Sequence, residues 1–207
     1  PVSRGLGDVY KRQLLLLIAL LHFHQPVFST EDTVSQAVAR YLTRIHKYME
    51  DEDWINAKRE LEVTARRYFK NEDSYERALI NQLYGQFYAL QRDYKNAIPW
   101  FEKAVAKGRL PFAADLQVSY SLAQCYFQTG RYKDVISTLE NYRDKASKRG
   151  QNMAPIQLML LGIAYYQEQD TLNAYLNIAE ANATATKLNE EWLQYEFALA
   201  VKLEKYD

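Results

Sequence analysis

Four short blocks of this chain repeat one another at a nearly fixed interval, and that interval constrains the fold more than any other feature. Asp53-Trp54-Ile55-Asn56-Ala57 recurs as Asp93-Tyr94-Lys95-Asn96-Ala97, then as Arg131-Tyr132-Lys133-Asp134-Val135, then more loosely as Thr171-Leu172-Asn173-Ala174. The small residues Ala57, Ala97, Val135 and Ala174 stand 40, 38 and 39 positions apart. A second recurring block lies upstream of the last three: Leu83 to Tyr88, Ser121 to Tyr126, and Leu160 to Tyr165. In each, a small residue (Gly85, Ala123, Gly162) is followed three positions later by Tyr88, Tyr126 or Tyr165. That spacing puts both on one face of a helix, where a small side chain lets a second helix come close. With only 7 Gly and 5 Pro against 17 Tyr and 8 Phe, the composition suits long helices with many aromatic contacts. The expectation is an all-α solenoid of helical hairpins in a right-handed superhelix, with four hairpins and the start of a fifth at Glu190 to Leu199. Gly130 reads as a helix stop, and Pro111 and Pro155 as helix starts. Pro99 falls inside a second helix, where a lost backbone donor predicts a kink or a late start.

The pattern Tyr84-Gly85-Tyr88-Ala97-Phe101, matched by Leu161-Gly162-Tyr165-Ala174-Ile178, resembles the tetratricopeptide repeat. The first repeat departs from it, with Ile45 at the small-residue position, and every period exceeds the usual length of about 34. Long turns between hairpins, above all Asp144 to Ala154, account for the excess in this reading. The stretches Pro155 to Tyr166, Asn189 to Gln194 and Leu203 to Asp207 further resemble the secreted tetratricopeptide protein found with TonB, ExbB and ExbD in marine gammaproteobacteria. That resemblance implies a non-enzymatic periplasmic accessory of TonB-dependent uptake, with TonB, ExbB or ExbD components as partners. Envelope or outer-membrane assembly is the alternative role.

The N-terminal segments read differently from the repeats. Residues 1–13 begin without Met and read as a non-native leader. Residues 14–29 hold eight apolar residues from Leu14 to Leu21, which rise only about 12 Å as a helix and so fall short of a bilayer. A secretory signal fits, with Val27 and Ser29 placed for cleavage at Ser29/Thr30 and export to the periplasm. Residues 30–207 form the solenoid, whose fifth hairpin stops at its second helix, so the chain reads as truncated.

Charge and motifs narrow the function. The 26 basic residues balance 26 acidic ones, which removes the electrostatic footprint of a nucleic-acid binder and leaves membranes as an indirect partner only. One cysteine, Cys125, forms no internal disulfide and reads as a buried thiol. His46 stands alone once His22 and His24 are removed, and neither a phosphate loop nor a nucleophile elbow is present, so no enzyme, cofactor or metal is expected. The runs Glu50 to Asp53 and Lys145 to Arg149 read as solvated turns. Binding is expected on the first-helix face lining the concavity. It should carry Gln82, Gln86 and Ala89, then Gln117, Tyr120, Gln124 and Phe127, then Met159, Ile163 and Tyr166, and last Gln194. No Lys or Arg is among them. Such a face suits an uncharged extended or polyproline peptide, because rings pack on apolar faces and amides bond an exposed backbone.

Overall fold

The structure is a computed structural model that describes residues 36–68, 71, 73–187 and 189–204. The leader at 1–13, the segment 14–29 with its cleavage position, and Tyr206-Asp207 lie outside the described residues. Among the described residues every regular element is a helix. These are α1 (Gln36–Glu50), α2 (Trp54–Tyr68), α3 (Tyr75–Leu90), α4 (Tyr94–Val105), α5 (Phe112–Gln128), α6 (Tyr132–Ser147), α7 (Pro155–Gln167), α8 (Thr171–Thr184) and α9 (Glu190–Glu204). Each helix packs on its chain neighbours, giving hairpins α1–α2, α3–α4, α5–α6 and α7–α8 with α9 laid against α8.

The repeat is written into the turns. Each hairpin turns at one residue in the left-handed region: Glu52 (φ 56), Arg92 (φ 60), Gly130 (φ 74) and Gln169 (φ 67). The next backbone N–H reaches five residues back, to the carbonyls of Tyr48, Tyr88, Tyr126 and Tyr165, at 2.8 to 3.0 Å. This pairing closes the C-terminus of a first helix and aims the chain straight into the second. The second helix is then capped by an aspartate in three of the four hairpins. Asp53, Asp93 and Asp170 each accept the backbone N–H three residues on and the side-chain amide of that same residue, Asn56, Asn96 or Asn173. The third hairpin reverses the chemistry, with Arg131 Nε donating to Asp134 Oδ2 at 2.7 Å.

Inside the hairpins the small residues do what their spacing implies. Ala57, Ala97, Val135 and Ala174 have no exposure, and the residues one turn further on, Leu61, Phe101, Leu139 and Ile178, are fully buried. A Cβ placed on Gly85 would lie 2.5 Å from Cδ1 of Phe101, and one on Gly162 would lie 2.6 Å from Cγ1 of Ile178 and 3.1 Å from the Ala174 carbonyl oxygen. The second and third hairpins, and the third and fourth, are joined through phenols. Tyr126 donates to Glu102 Oε1 at 2.6 Å and Tyr165 donates to Glu140 Oε1 at 3.0 Å, in each case from a first helix back to the preceding second helix.

Three expectations are corrected. Helix α4 starts on time at Tyr94, behind its Asp93 cap, and runs without interruption through Pro99 to Val105. Pro99 is the sixth of its twelve residues and leaves the carbonyl of Lys95 without its donor, while Ile98 and Phe101 on either side are buried and hold the segment in place. The stretch Asp144 to Ala154 is not all turn, because α6 continues to Ser147, and the long period comes as much from helix length (17 residues in α5, 16 in α6) as from loops. Nor is the run Lys145 to Arg149 simply solvated. Lys145 Nζ donates to the buried Asp115 at 2.6 Å, and the Arg149 guanidinium lies 4.2 Å from the Phe112 ring centre.

Gly85→Ala and Gly162→Ala weigh two effects of opposite sign. Helix propensity favours alanine by about 1 kcal/mol, while forcing a methyl against a fully buried ring or branched chain costs about 1 to 3 kcal/mol. Both variants are expected to lower the urea midpoint, Gly162→Ala more so because a backbone oxygen blocks any escape. The turns give the converse expectation: Arg92→Gly and Gln169→Gly relieve left-handed strain and add about 0.5 to 1 kcal/mol each, whereas Gly130→Ala removes about 1 kcal/mol. Denaturant titration of the three reads the difference, and stabilisation by Gly130→Ala would show that the turn geometry is wrong.

Candidate functional site

The face proposed for binding is built from α3, α5, α7 and α9, the first helices of successive hairpins. On α3, Gln82 and Gln86 are half-buried and one turn apart, and the side-chain oxygen of each is buried without a hydrogen-bond partner. On α5, Gln117 is exposed while Tyr120 and Gln124 are half-buried. Burial pushes the Tyr120 hydroxyl up to about 12, with the neighbouring Gln124 amide acting the other way. Tyr142 of α6 lies nearby and its hydroxyl accepts from the Gln157 side-chain amide at 3.1 Å. On α7, Tyr166 is 40% exposed and is the most open aromatic ring of the proposed set. Gln194 on α9 is exposed.

Four residues of the expected face are buried in the core instead. Phe127, Met159 and Ile163 have relative exposures of only 7%, 3% and 7%. Phe127 packs edge-on against Tyr132, with ring centres 5.4 Å apart, and so supports the turn of its own hairpin. Ala89 is likewise buried. Ala89 and Phe127 stand one turn further along their helices than Gln86 and Gln124, whereas Met159 and Ile163 hold in α7 the repeat positions of Gln82 and Gln86 but are covered by neighbouring elements. The expected absence of cations also needs correction, since Lys202 of α9 places its ammonium 5.2 Å from the ring centre of Tyr166. The spacing within α7 gave no sign of this contact, because it forms between hairpins.

What remains open is a row of carboxamides and phenols: Gln82, Gln86, Gln117, Tyr120, Gln124 and Tyr166, with one ammonium at its end. Such a row accepts and donates hydrogen bonds and offers ring faces, and it holds no proton-transfer pair. The other reactive groups are accounted for structurally. Cys125 is buried, and burial pushes its thiol up to about 12, far from a reactive thiolate. Burial likewise holds the His46 imidazole below its ordinary value, with Glu50 opposing.

Comparisons with known proteins agree with this architecture. The family described as "Anaphase-promoting complex, cyclosome, subunit 3" matches residues 90–152, the span from the end of α3 to the loop before α7. Nearly identical TPR-like repeats of a Podosopora anserina protein described as a kinesin light chain superpose with a TM-score of 0.58 at 16% identity. That match covers 81% of this chain and 96% of that one. The crystal structure of PilW, described as a widely conserved type IV pilus biogenesis factor, superposes with a TM-score of 0.50 at 16% identity, covering 83% and 88% of the two chains. No curated protein sequence matches the chain.

The buried phenols set an alkaline limit on the fold. Tyr84, Tyr120, Tyr165 and Tyr195 are each pushed up to about 12, chiefly by burial, and the Glu140 carboxylate adds to the effect at Tyr165. Below the ordinary tyrosine value of about 10 these groups are neutral whether the chain is folded or not. Above it the unfolded chain releases protons that the folded chain must keep, so stability falls as pH rises towards 12. Loss of far-ultraviolet circular dichroism and the last part of the rise in tyrosinate absorbance, that of the buried phenols, should come together inside that window. Titration of all tyrosines near 10 with the helices intact would contradict their burial. The helical hairpins, the matching turns and the structural likenesses together make this chain a TPR-like helical repeat protein.

Proposed function

We propose that the protein is a non-enzymatic scaffold of the bacterial cell envelope that holds an uncharged, extended peptide of a partner protein along its first-helix face. The observation that carries this reading is the row of amides and rings on the first helices, from half-buried Gln82 and Gln86 to exposed Gln117 and the 40% exposed Tyr166. Side-chain amides pair with the backbone N–H and C=O groups that an extended peptide leaves exposed. Tyr120 and Tyr166 supply ring faces alongside. A proline-rich segment suits such a face because it is already extended and loses little entropy on docking.

Two settings are consistent with that chemistry. The resemblance of the last hairpins to the TonB-associated tetratricopeptide protein supports a periplasmic accessory of TonB, ExbB and ExbD, whose ligand would be a proline-rich periplasmic spacer. The likeness to PilW supports the second setting, an adaptor in envelope assembly. The ligand chemistry is shared, and a pull-down with the periplasmic protein separates the settings by the partners it recovers.

Titration of a blocked proline-rich peptide into the full chain, at low and high salt, tests the face itself. Binding is expected to be weak to moderate and nearly insensitive to salt, since amides and rings make up the face and Lys202 adds one ammonium beside Tyr166. Tyr120→Ala and Tyr166→Ala should each weaken it by about 1 kcal/mol, the scale of one aromatic contact. Phe127→Ala is instead expected to lower stability. Affinity that collapses with salt, or survives loss of both tyrosines, would overturn the proposal.

A further inference from the structure

A second concavity lies on the other side of α3. It is an open cleft of about 610 Å³ between the first and second hairpins, walled by Trp54, Ile55, Lys58, Glu62, Phe87 and Tyr88. At roughly 100° per residue, Phe87, Tyr88 and Gln91 face away from Gln82 and Gln86, so the cleft and the carboxamide row occupy opposite flanks of one helix.

The repeat explains why the cleft exists. The residue after the buried small position is Lys58 in the first hairpin, but Ile98, Ile136 and Tyr175 in the other three. Those three are buried or packed against the core, filling the space beside the next first helix. Lys58 is exposed and leaves that space empty. The phenol contact of the later junctions is missing too. Glu62 and Tyr88 occupy the places of the bonded pairs Glu102–Tyr126 and Glu140–Tyr165, yet both line the cleft, and Glu62 turns to Arg66 of its own helix at 3.9 Å. At the rim Ile55 is 76% exposed, where the next two hairpins carry Lys95 and Lys133. Among the described residues Lys58 makes no ion pair, and Arg59 stands beside it on the wall.

We propose that this cleft docks a short segment of a partner protein that presents an aliphatic side chain flanked by carboxylates. The aliphatic group takes the place that Ile98 and Ile136 fill in their own hairpins, against Trp54, Ile55 and Phe87. The carboxylates meet Lys58 and Arg59, which supply charge complementarity that an apolar slot alone would lack. Because this surface is charged and lies on the opposite flank from the carboxamide row, the two sites fail or hold independently.

Fluorescence anisotropy with a labelled, terminally blocked Gly-Asp-Ile-Asp-Gly peptide and the full chain tests this. Saturable binding is expected, weakened at least tenfold by Lys58→Glu, by alanine in place of the peptide isoleucine, or by asparagine in place of its aspartates. Gln86→Ala and Tyr166→Ala should leave it unchanged. Lys58→Ile restores the filler found in the other hairpins, so it should abolish binding while raising the thermal midpoint, which separates a lost site from a lost fold. The absence of saturable binding to the wild-type chain, or undiminished binding by Lys58→Ile, would overturn the proposal.

Discussion

The architecture depends on how closely two helices of a hairpin approach. Gly85 against Phe101 and Gly162 against Ile178 leave no room for even one methyl group, and each large partner is fully buried by that contact. Burying a side chain of this size contributes roughly 1.5 to 3 kcal/mol, and the contribution exists only while the facing residue is small. The same contact fixes the axial register of the two helices. Register in turn decides which residue reaches the left-handed turn position, so Glu52, Arg92 and Gln169 adopt a conformation they would not choose alone. Among the four hairpins only the third meets this demand with glycine, at Gly130.

The repeat was legible because it is dictated within single hairpins. Small-residue spacing, the aspartate caps and the prolines at helix starts are local rules, and Pro111 at the cap of α5 and Pro155 at the first position of α7 follow them. What the sequence hid are contacts between side chains far apart in the chain. Lys145 reaches Asp115 over thirty positions, and this ion pair draws a charge run that looks like a loop into a helix. Pro99 misleads for a related reason. A penalty of about 3 kcal/mol is the cost in a regular helix interior, and α4 continues across Pro99 because the packing of Ile98 and Phe101 offsets it.

The candidate face was legible in part for the same reason. Amide and tyrosine positions on α3 and α5 follow from helical spacing, and the structure leaves Gln82, Gln86, Gln117, Tyr120 and Gln124 at least partly accessible. A wheel drawn for one helix cannot show how far the neighbouring helices cover its face. Phe127, Met159 and Ile163 therefore sit inside, and Lys202 arrives over Tyr166 from a helix two elements away. Exposure is a property of the assembled junctions rather than of the helix.

Junction chemistry also makes the solenoid unequal along its length. A repeat array is stabilised by its hairpins and by the interfaces between neighbours, and the interfaces here are not copies of one another. The two central junctions combine an apolar filler with a phenol–carboxylate bond, through Ile98 with Tyr126 and Glu102, and through Ile136 with Tyr165 and Glu140. The first junction has neither, and Ile45 stands where the later first helices carry a small residue, so its hairpin cannot close in the same way. The fourth keeps the filler, Tyr175, but has Ala179 where the carboxylate would be and joins α8 to α9 through Asn182 and Glu196 instead. One substitution, lysine for an isoleucine or tyrosine, thus trades packing between hairpins for an open charged cleft. The stability this costs falls on the first two hairpins, which share that interface, because in a linear array an interface acts only on its neighbours.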